Sequence, residues 1–378
     1  MSGADATFDG TVRVGGGSTF AGRLEAAHGR PSGFDYMRLV LAFGVIGWHG
    51  STISYGLDAV AGPWQRALSP LALLIVPMFF ALSGFLVAGS LERSRTLIGF
   101  LGLRVFRIVP ALSVEVLLSA LILGPLLTTY GLHDYFTDRE FRLYFWNMVG
   151  HIHYVLPGVF VDNPVTFVNG QLWTVPYELV CYIVLSVLAV SGIFRRRPLL
   201  LGFLCAYYVA QFANTVLRPS TDYQGAGGSS IVMAFVAGLV VFGYRDRIVW
   251  SKALFALALI ASVALPLFVP KGARFVAVPV AYMTVYLGLL NPPRNRVLLS
   301  GDHSYGLFLY GFPIQQAVYT MVPYAREWHT NTLISLPCAA AIAANVGSVK
   351  RLFLPSANGP HASICTPFSC MNVWASLC

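Results

Sequence analysis

The chain has 378 residues, of which 56% are hydrophobic and only 11% are charged, and its formal net charge is +9. Ordinary soluble domains carry about 25% charged residues, so this composition excludes a soluble globular protein and favours one whose solvent is the lipid bilayer. The positive charge does not indicate nucleic acid binding, because the lysines and arginines cluster in short connectors between apolar runs, which is typical of membrane topology.

Residues 1–32 are rich in glycine, serine, alanine and threonine and show no apolar period, which predicts a disordered cytoplasmic leader. Apolar runs then follow one another over residues 33–347. We therefore expect an all-α polytopic membrane protein with about ten transmembrane helices around a central cavity. The runs lie at about 34–55, 70–91, 111–128, 172–194, 198–216, 229–243, 252–269, 274–290, 303–322 and 331–347.

Basic residues are concentrated in a few connectors between these runs. If about ten runs cross the bilayer, the connectors fall on the same side of the membrane as residues 1–32. Because lysine and arginine accumulate in cytoplasmic loops, the pattern predicts that both termini are cytoplasmic. The connectors lie at residues 92–110, 195–197, 245–252, 294–296 and 350–351.

The first apolar run carries three ionisable side chains on one helical face. Arg38 and His49 are eleven positions apart, which is about three turns and roughly 16 Å along a helix. Asp35 precedes Arg38 by three positions and shares that face. His49 therefore lies near the middle of a ~30 Å hydrocarbon core, where an ionisable group indicates a functional site. The alternatives are a histidine that is only hydrogen-bonded between packed helices and one that lies near the far headgroups.

Two further sets of polar side chains fit chemistry at the membrane. Arg104 and Arg107, three positions apart on the predicted cytoplasmic side, would present two guanidinium groups to the phosphates of a nucleotide-containing carrier, or would be a plain topological anchor. Glu178 lies inside the fourth apolar run. A carboxylate there needs a partner, for which His49, Arg38 and a sugar hydroxyl are candidates. A structural hydrogen bond between helices is the alternative.

The segment at residues 129–172 is too polar to span the membrane and too long for a simple connection, which is typical of a functional loop. Its apolar part, residues 146–160, is expected to be interfacial or re-entrant. Six cysteines show no spacing with histidine that would bind a metal, so we expect no metal.

Five blocks in this order resemble the membrane-bound acyltransferase family 3, which includes bacterial polysaccharide O-acetylases and Nod-factor acetylases. In the first block, arginine, ten residues and then histidine is the family's hallmark. The blocks are FDYMRLVLAFGVIGWH at 34–49, VPMFFALSGFLVAGS at 76–90, LRVFRIVPAL at 103–112, NGQLWTVPYE at 169–178 and GDHSYGLFLYGFPIQQ at 301–316.

The resemblance implies transfer of an acetyl or other short acyl group from acyl-CoA, most simply acetyl-CoA, to a hydroxyl of a cell-surface glycan or lipid-linked sugar, at the bacterial inner membrane. It implies that Arg38 and His49 form the essential pair, that Arg104 and Arg107 bind the donor, and that Glu178 is an essential acid. Asp35 is then expected to neutralise and orient Arg38. Family members of this length have no extra soluble domain, so residues 33–347 are expected to form one acyltransferase domain.

Two alternatives to an active enzyme follow from the same sequence. Buried charges and a long outer loop are equally typical of a transporter or flippase for a lipid-linked glycan. Residues 348–378 contain three cysteines and lack the motif with which the family's last helix closes. This atypical C-terminal tail leaves open an inactive remnant of the enzyme.

Overall fold

The computed structural model describes residues 19–57, 63–94, 96–217, 227–295 and 303–353, and all regular structure in these ranges is helical. The prediction of an all-α fold is therefore confirmed. The α-helices are α1 (Phe20–Ala26), α2 (Gly33–Tyr55), α3 (Pro63–Arg93), α4 (Leu97–Leu118), α5 (Gly124–Leu127), α6 (Leu132–Thr137), α7 (Arg139–Tyr144), α8 (Val175–Val190), α9 (Arg197–Leu217), α10 (Gly228–Gly243), α11 (Lys252–Phe268), α12 (Ala277–Gly288), α13 (His303–Met321) and α14 (Trp328–Phe353).

Ten helices of the described ranges have at least twelve residues, and each overlaps one of the ten predicted apolar runs, although α4 begins well before its predicted run at 111–128. Four helical segments are long and apolar enough to cross a membrane, and α10, α11 and α12 are shorter apolar helices. Large apolar side chains such as Val190 and Phe268 remain exposed, which indicates contact with lipid. The number of spans and the central cavity stay predictions. The four segments are Gln65–Arg93, Leu97–Leu127, Gly170–Val190 and Arg197–Leu217.

The helix packing centres on α10, which is buried from Ser230 to Phe242. A Cβ atom on Gly84 of α3 would lie 2.1 Å from the carbonyl oxygen of Phe235, and one on Gly238 would lie 2.2 Å from that of Ala81. Only glycine lets two backbones approach this closely, as is common between membrane helices. The α3–α10 pair therefore forms a rigid base for the other helices.

The structure corrects the predicted connector at residues 92–110. Helix α4 already begins at Leu97, where the side chain of Thr96 accepts a hydrogen bond from the amide of Gly99 as an N-terminal cap. Apolar side chains between the arginines continue the helical pattern, and Phe100 and Ile108 are buried. Arg104 and Arg107 therefore lie within α4, and Arg93 is the last residue of α3.

The structure also differs from the prediction in both terminal regions. The leader is not disordered throughout, because residues 20–26 form α1 and Phe20 is fully buried against Trp250 and Tyr282. At the other end, α14 continues through Phe353 into the predicted tail. Residues 1–18 and 354–378 lie outside the described residues.

The segment between α5 and α8 folds over one end of the helices. It contains α6, α7 and short 3₁₀ turns, and the remainder is irregular but largely buried. Gln316 of α13 holds it by donating to the carbonyl oxygens of Val165 and Phe167, each at 2.7 Å. Because these bonds satisfy backbone groups that have no helical partner, the segment has a fixed path that brings residues 169–171 between α4 and α13.

Candidate active site

Helix α2 is unbroken from Gly33 to Tyr55, so the predicted common face of Arg38 and His49 is supported by continuous helical geometry. The start of α2 is fixed by the residues after α12. The amide of Gly33 donates to the carbonyl oxygen of Leu290 at 2.9 Å, and the hydroxyl of Ser32 donates to that of Pro292 at 2.5 Å. The stripe therefore begins at an anchored helix end.

His49 is partly exposed, and its imidazole forms no hydrogen bond with any of the described residues. Its ring contact is with Phe312 of α13, at a centroid distance of 5.1 Å and an interplanar angle of 76°. Such an edge-to-face contact is a favoured geometry between aromatic rings and helps to orient them. The imidazole is thus held in place while both nitrogens stay available, as a proton-transfer group or nucleophile requires.

Asp35 and Arg38 lie at the beginning of the same stripe, and both are partly exposed. The carboxylate of Asp35 lies 3.9 Å from a guanidinium nitrogen of Arg294. An exposed pair at this distance stabilises the fold little, but it places a second cation at the base of α2. The expected pairing of Asp35 with Arg38 stays a prediction.

The two arginines of α4 differ in their surroundings. Arg104 is buried, donates to the hydroxyl of Ser90 at 2.8 Å and lies 5.3 Å from the centroid of the Phe100 ring. Arg107 is partly exposed. Both guanidinium groups lie close enough to the hydroxyl of Tyr182 to act on it electrostatically. The arginine pair is therefore a positive region that α3 and α8 border.

Glu178 lies in the first turn of α8 and accepts a hydrogen bond from the hydroxyl of Tyr182 at 2.7 Å. The same hydroxyl lies within electrostatic range of Arg104 and Arg107. The partner that the structure gives Glu178 is thus a residue that the sequence analysis did not consider. The carboxylate and the arginine pair lie around one tyrosine.

Glu115 was not identified by the sequence analysis. It lies eleven positions after Arg104 on the same face of α4 and is fully buried. One carboxylate oxygen, Oε1, accepts hydrogen bonds from Ser119 at 2.6 Å and from Asn169, which also contacts the hydroxyl of Tyr144. The rule that flagged His49 and Glu178, an ionisable residue inside an apolar run, would have found it.

A π-helical turn at Ser119–Leu123 follows Glu115 directly. π-helical turns are rare in proteins, and those that occur are often found at functional sites. Within the described part of the chain, Oε2 of Glu115 is buried and has no hydrogen-bond partner. The π-helical turn and the Oε2 atom without a hydrogen-bond partner both indicate that this part of α4 has a role beyond helix packing.

Phe312 connects the surroundings of Glu115 with His49. A Cβ atom on Gly170 would lie 2.7 Å from the Phe312 ring, so backbone and ring are in direct contact. Next in the chain, the Gln171 amide donates to the carbonyl oxygen of Leu309 at 2.6 Å. The site residues thus form two groups. One group contains His49, Phe312 and the Glu115 network. The other contains Glu178, Tyr182 and the arginine pair.

The family model described as an acyltransferase domain matches residues 32–349. The chain is 26% identical over 302 residues to a protein named O-acetyl transferase from Shigella phage Sf6, which covers 75% of this chain and 85% of that protein. It is 28% identical over 319 residues to Nodulation protein 10 of Rhizobium leguminosarum bv. viciae, covering 76% and 83%. No solved structure matches it significantly.

Proposed function

This chain belongs to the acyltransferase 3 family and is an acyltransferase, and from that premise we propose that it is an integral membrane O-acyltransferase. It transfers an acetyl or other short acyl group from acyl-CoA to a hydroxyl of a cell-surface or exported glycan or lipid-linked sugar. The observation that carries the proposal is the imidazole of His49, which contacts the Phe312 ring and forms no hydrogen bond with the described residues.

The donor enters from the cytoplasmic side, where Arg104 and Arg107 bind its phosphates. Arginine suits this role because its planar group forms paired hydrogen bonds with phosphate oxygens. Acetyl-CoA is the simplest donor. In this arrangement the ten long helices span the bacterial inner membrane around a central cavity, and both termini are cytoplasmic, as the basic connectors predict.

At His49 the reaction takes one of two routes. In direct transfer, an imidazole nitrogen accepts the proton of the acceptor hydroxyl while the alcohol oxygen attacks the thioester carbonyl, and the leaving thiolate then takes that proton. In the other route, the imidazole nitrogen attacks the thioester carbonyl first and the CoA thiolate leaves. The alcohol oxygen then attacks the acyl carbon, the bond to the His49 nitrogen breaks, and the proton of the alcohol passes to the thiolate. Arg38 stabilises the developing oxyanion or positions the donor, with Asp35 neutralising and orienting it.

For Glu178 we propose the binding of an acceptor hydroxyl. Its hydrogen bond from Tyr182 and its place beside the arginine pair favour a role in substrate binding over one in orienting the imidazole. A carboxylate that is held by one donor keeps further lone pairs for a sugar hydroxyl.

The proposal is tested with the purified chain in lipid nanodiscs, supplied with acetyl-CoA labelled in the acetyl group. The acceptor is the surface glycan fraction of a strain from which the gene has been deleted. We expect release of the CoA thiol and transfer of label to the glycan by the wild type, and neither by the His49→Ala variant at equal folded amount. A folded wild type that releases no thiol and transfers no label contradicts the proposal and favours a transporter or an inactive remnant.

A further inference from the structure

We propose that Glu115 is a positioning residue for the acyl transfer, which holds the 169–171 segment against Phe312 and thereby sets the orientation of the His49 imidazole. The inference rests on the proposed function. It assigns a role to a buried acid that the mechanism above does not use.

The burial of Glu115 is costly for the fold. Its carboxyl group has no accessible surface, and no cation of the described ranges forms a salt bridge with it. A buried carboxyl group without a cation destabilises a protein unless hydrogen bonds compensate, and an apolar residue of similar size often stabilises the fold more. Stability alone therefore gives no reason for an acid at this position.

The hydrogen bonds of Glu115 act on one short segment. Oε1 accepts from Ser119 of its own helix and from the side-chain amide of Asn169. The carbonyl oxygen of that amide accepts from Gln171 at 3.1 Å, and Gln171 also donates to the carbonyl oxygen of Leu309 in α13. Glu115 thus fixes both residues that flank Gly170, and it fixes them relative to α13.

Gly170 transmits this constraint to the imidazole. The space at its Cα is filled by the Phe312 ring, with 2.7 Å between a virtual Cβ atom and the nearest ring carbons. The ring also meets His49 edge to face, at 5.1 Å between centroids. A shift of residues 169–171 therefore moves the ring against which the imidazole rests. A misplacement of about 1 Å at a reacting group reduces a rate by about 100-fold.

Two substitutions of Glu115 separate positioning from proton transfer. Glu115→Ala removes the acceptor oxygen, and we expect kcat to fall about 10- to 100-fold while KM for acetyl-CoA changes little, because the donor site is not altered. Glu115→Gln keeps an acceptor oxygen and the side-chain shape, so we expect it to restore most of kcat. The assay is CoA thiol release from acetyl-CoA with the glycan fraction described above, at equal amounts of folded protein.

Two further variants serve as matched tests. Gly170→Ala leaves Glu115 intact but displaces the Phe312 ring, and it should lower kcat as Glu115→Ala does. This variant therefore tests the path from residues 169–171 to the imidazole even where Glu115→Ala yields no folded protein. Tyr135→Phe removes the buried hydrogen bond that the Tyr135 hydroxyl donates to the carbonyl oxygen of Ala120 at 2.7 Å. This bond lies about one turn from Glu115 but is not among those that connect Glu115 with Gly170 and Phe312. Tyr135→Phe should lower the melting temperature and leave kcat unchanged.

Three results would overturn the role of Glu115 while leaving the proposed function standing. These are a wild-type kcat in folded Glu115→Ala, a Glu115→Gln variant as slow as Glu115→Ala, and a wild-type kcat in Gly170→Ala. A folded wild type without any acyl transfer would instead refute the proposed function, and the role of Glu115 with it.

Discussion

Helices α2 and α4 carry the same spacing of ionisable residues with different surroundings. In α2, Arg38 is followed by His49 eleven positions later, and in α4, Arg104 is followed by Glu115 at the same interval. The two residues of each pair lie on one helical face, about 16 Å apart along the helix axis. His49 ends its stripe partly exposed and without a hydrogen bond to any described residue, whereas Glu115 is fully buried and tied to Ser119 and Asn169.

The difference shows that spacing alone does not define a role in a membrane helix. A group that transfers a proton or an acyl group must reach its substrate, so its polar atoms have to stay available. A group whose polar atoms are engaged by neighbouring side chains fixes the positions of those neighbours. On this criterion we expect α2 to carry the reacting group of the proposed site and α4 to carry its support. Phe312 contacts both His49 and Gly170, so it connects the surroundings of the two helices.

The largest expected effect is the loss of kcat in His49→Gln. In the proposed mechanism the imidazole supplies general-base or nucleophilic catalysis, which is worth about 10²- to 10⁴-fold. Its described contact is one ring pair, and such pairs contribute about 0.5–1.5 kcal/mol to the free energy of unfolding. We therefore expect a near-inactive protein with almost unchanged stability, measured by CoA thiol release and by thermal unfolding in nanodiscs.

The same pair of measurements on Glu115→Ala sharpens the comparison. That variant should lose both activity and stability, because it leaves buried donors of Ser119 and Asn169 without their acceptor. If His49→Gln destabilised the fold as much as Glu115→Ala, the distinction between reacting and supporting groups would not hold.

The next effect concerns the arginine pair of α4. Removing one charge-assisted contact with a phosphate costs about 1.5–3 kcal/mol, so Arg107→Ala should raise KM for acetyl-CoA about 10- to 100-fold. Arg104→Ala should do the same and should also lower the melting temperature, because its side chain is buried against Ser90 and Phe100. Kinetics over a range of acetyl-CoA concentrations separate KM from kcat. Unchanged KM in Arg107→Ala would make this arginine a topological anchor.

Much of the fold followed from apolar periodicity. The run expected at 252–269 is the helix Lys252–Phe268, and the run expected at 198–216 is Arg197–Leu217. The prediction of a connector at residues 92–110 is wrong, because apolar residues between the arginines continue the helical pattern of α4. The hydrogen bond to Ser90 lets one arginine stay buried, and such a contact between helices is not visible in a sequence.

The site was predictable where its residues share one helix. The relation of Arg38 to His49 depends only on the helical repeat. The surroundings of Glu115 depend on Asn169, which follows it by more than fifty residues and reaches it through an irregular segment. The contact between Gly170 and Phe312 likewise joins distant parts of the chain. Tertiary packing decides such contacts, and local patterns do not contain it.

A smaller effect is expected from Tyr182→Phe. Its hydroxyl donates to Glu178 at 2.7 Å and lies within electrostatic range of the arginine pair. Loss of a typical hydrogen bond costs about 0.5–1.5 kcal/mol net, so the KM for the glycan acceptor should rise about 2- to 10-fold, with kcat and folding nearly unchanged. Glu178→Gln should raise the same KM more. A larger defect in Tyr182→Phe than in Glu178→Gln would place the tyrosine itself at the substrate.

The smallest effect belongs to an exposed acid that contrasts with Glu115. Asp246 accepts a hydrogen bond from Arg197 at 2.9 Å, and the two side chains are 46% and 39% exposed. Partial desolvation raises the pKa of Asp246, but the hydrogen bond and the nearby charges of Arg197 and Arg247 outweigh it, so the pKa is lowered overall. A lowered pKa stabilises the fold above the unfolded value of about 3.9, and this contribution is lost as the pH falls through the folded value.

Because water screens this pair, Asp246→Asn should reduce the free energy of unfolding by no more than about 0.5 kcal/mol at neutral pH. The difference from the wild type should vanish at a pH well below the lowered pKa of Asp246, since both chains are then neutral at this position. The measurement is thermal unfolding at both pH values, with Glu115→Ala alongside. The comparison predicts that loss of a buried acid without a cation lowers the free energy of unfolding more than loss of an exposed acid that is paired with a cation. A greater loss in Asp246→Asn than in Glu115→Ala would show that ion pairing, and not burial, determines the importance of an acid here.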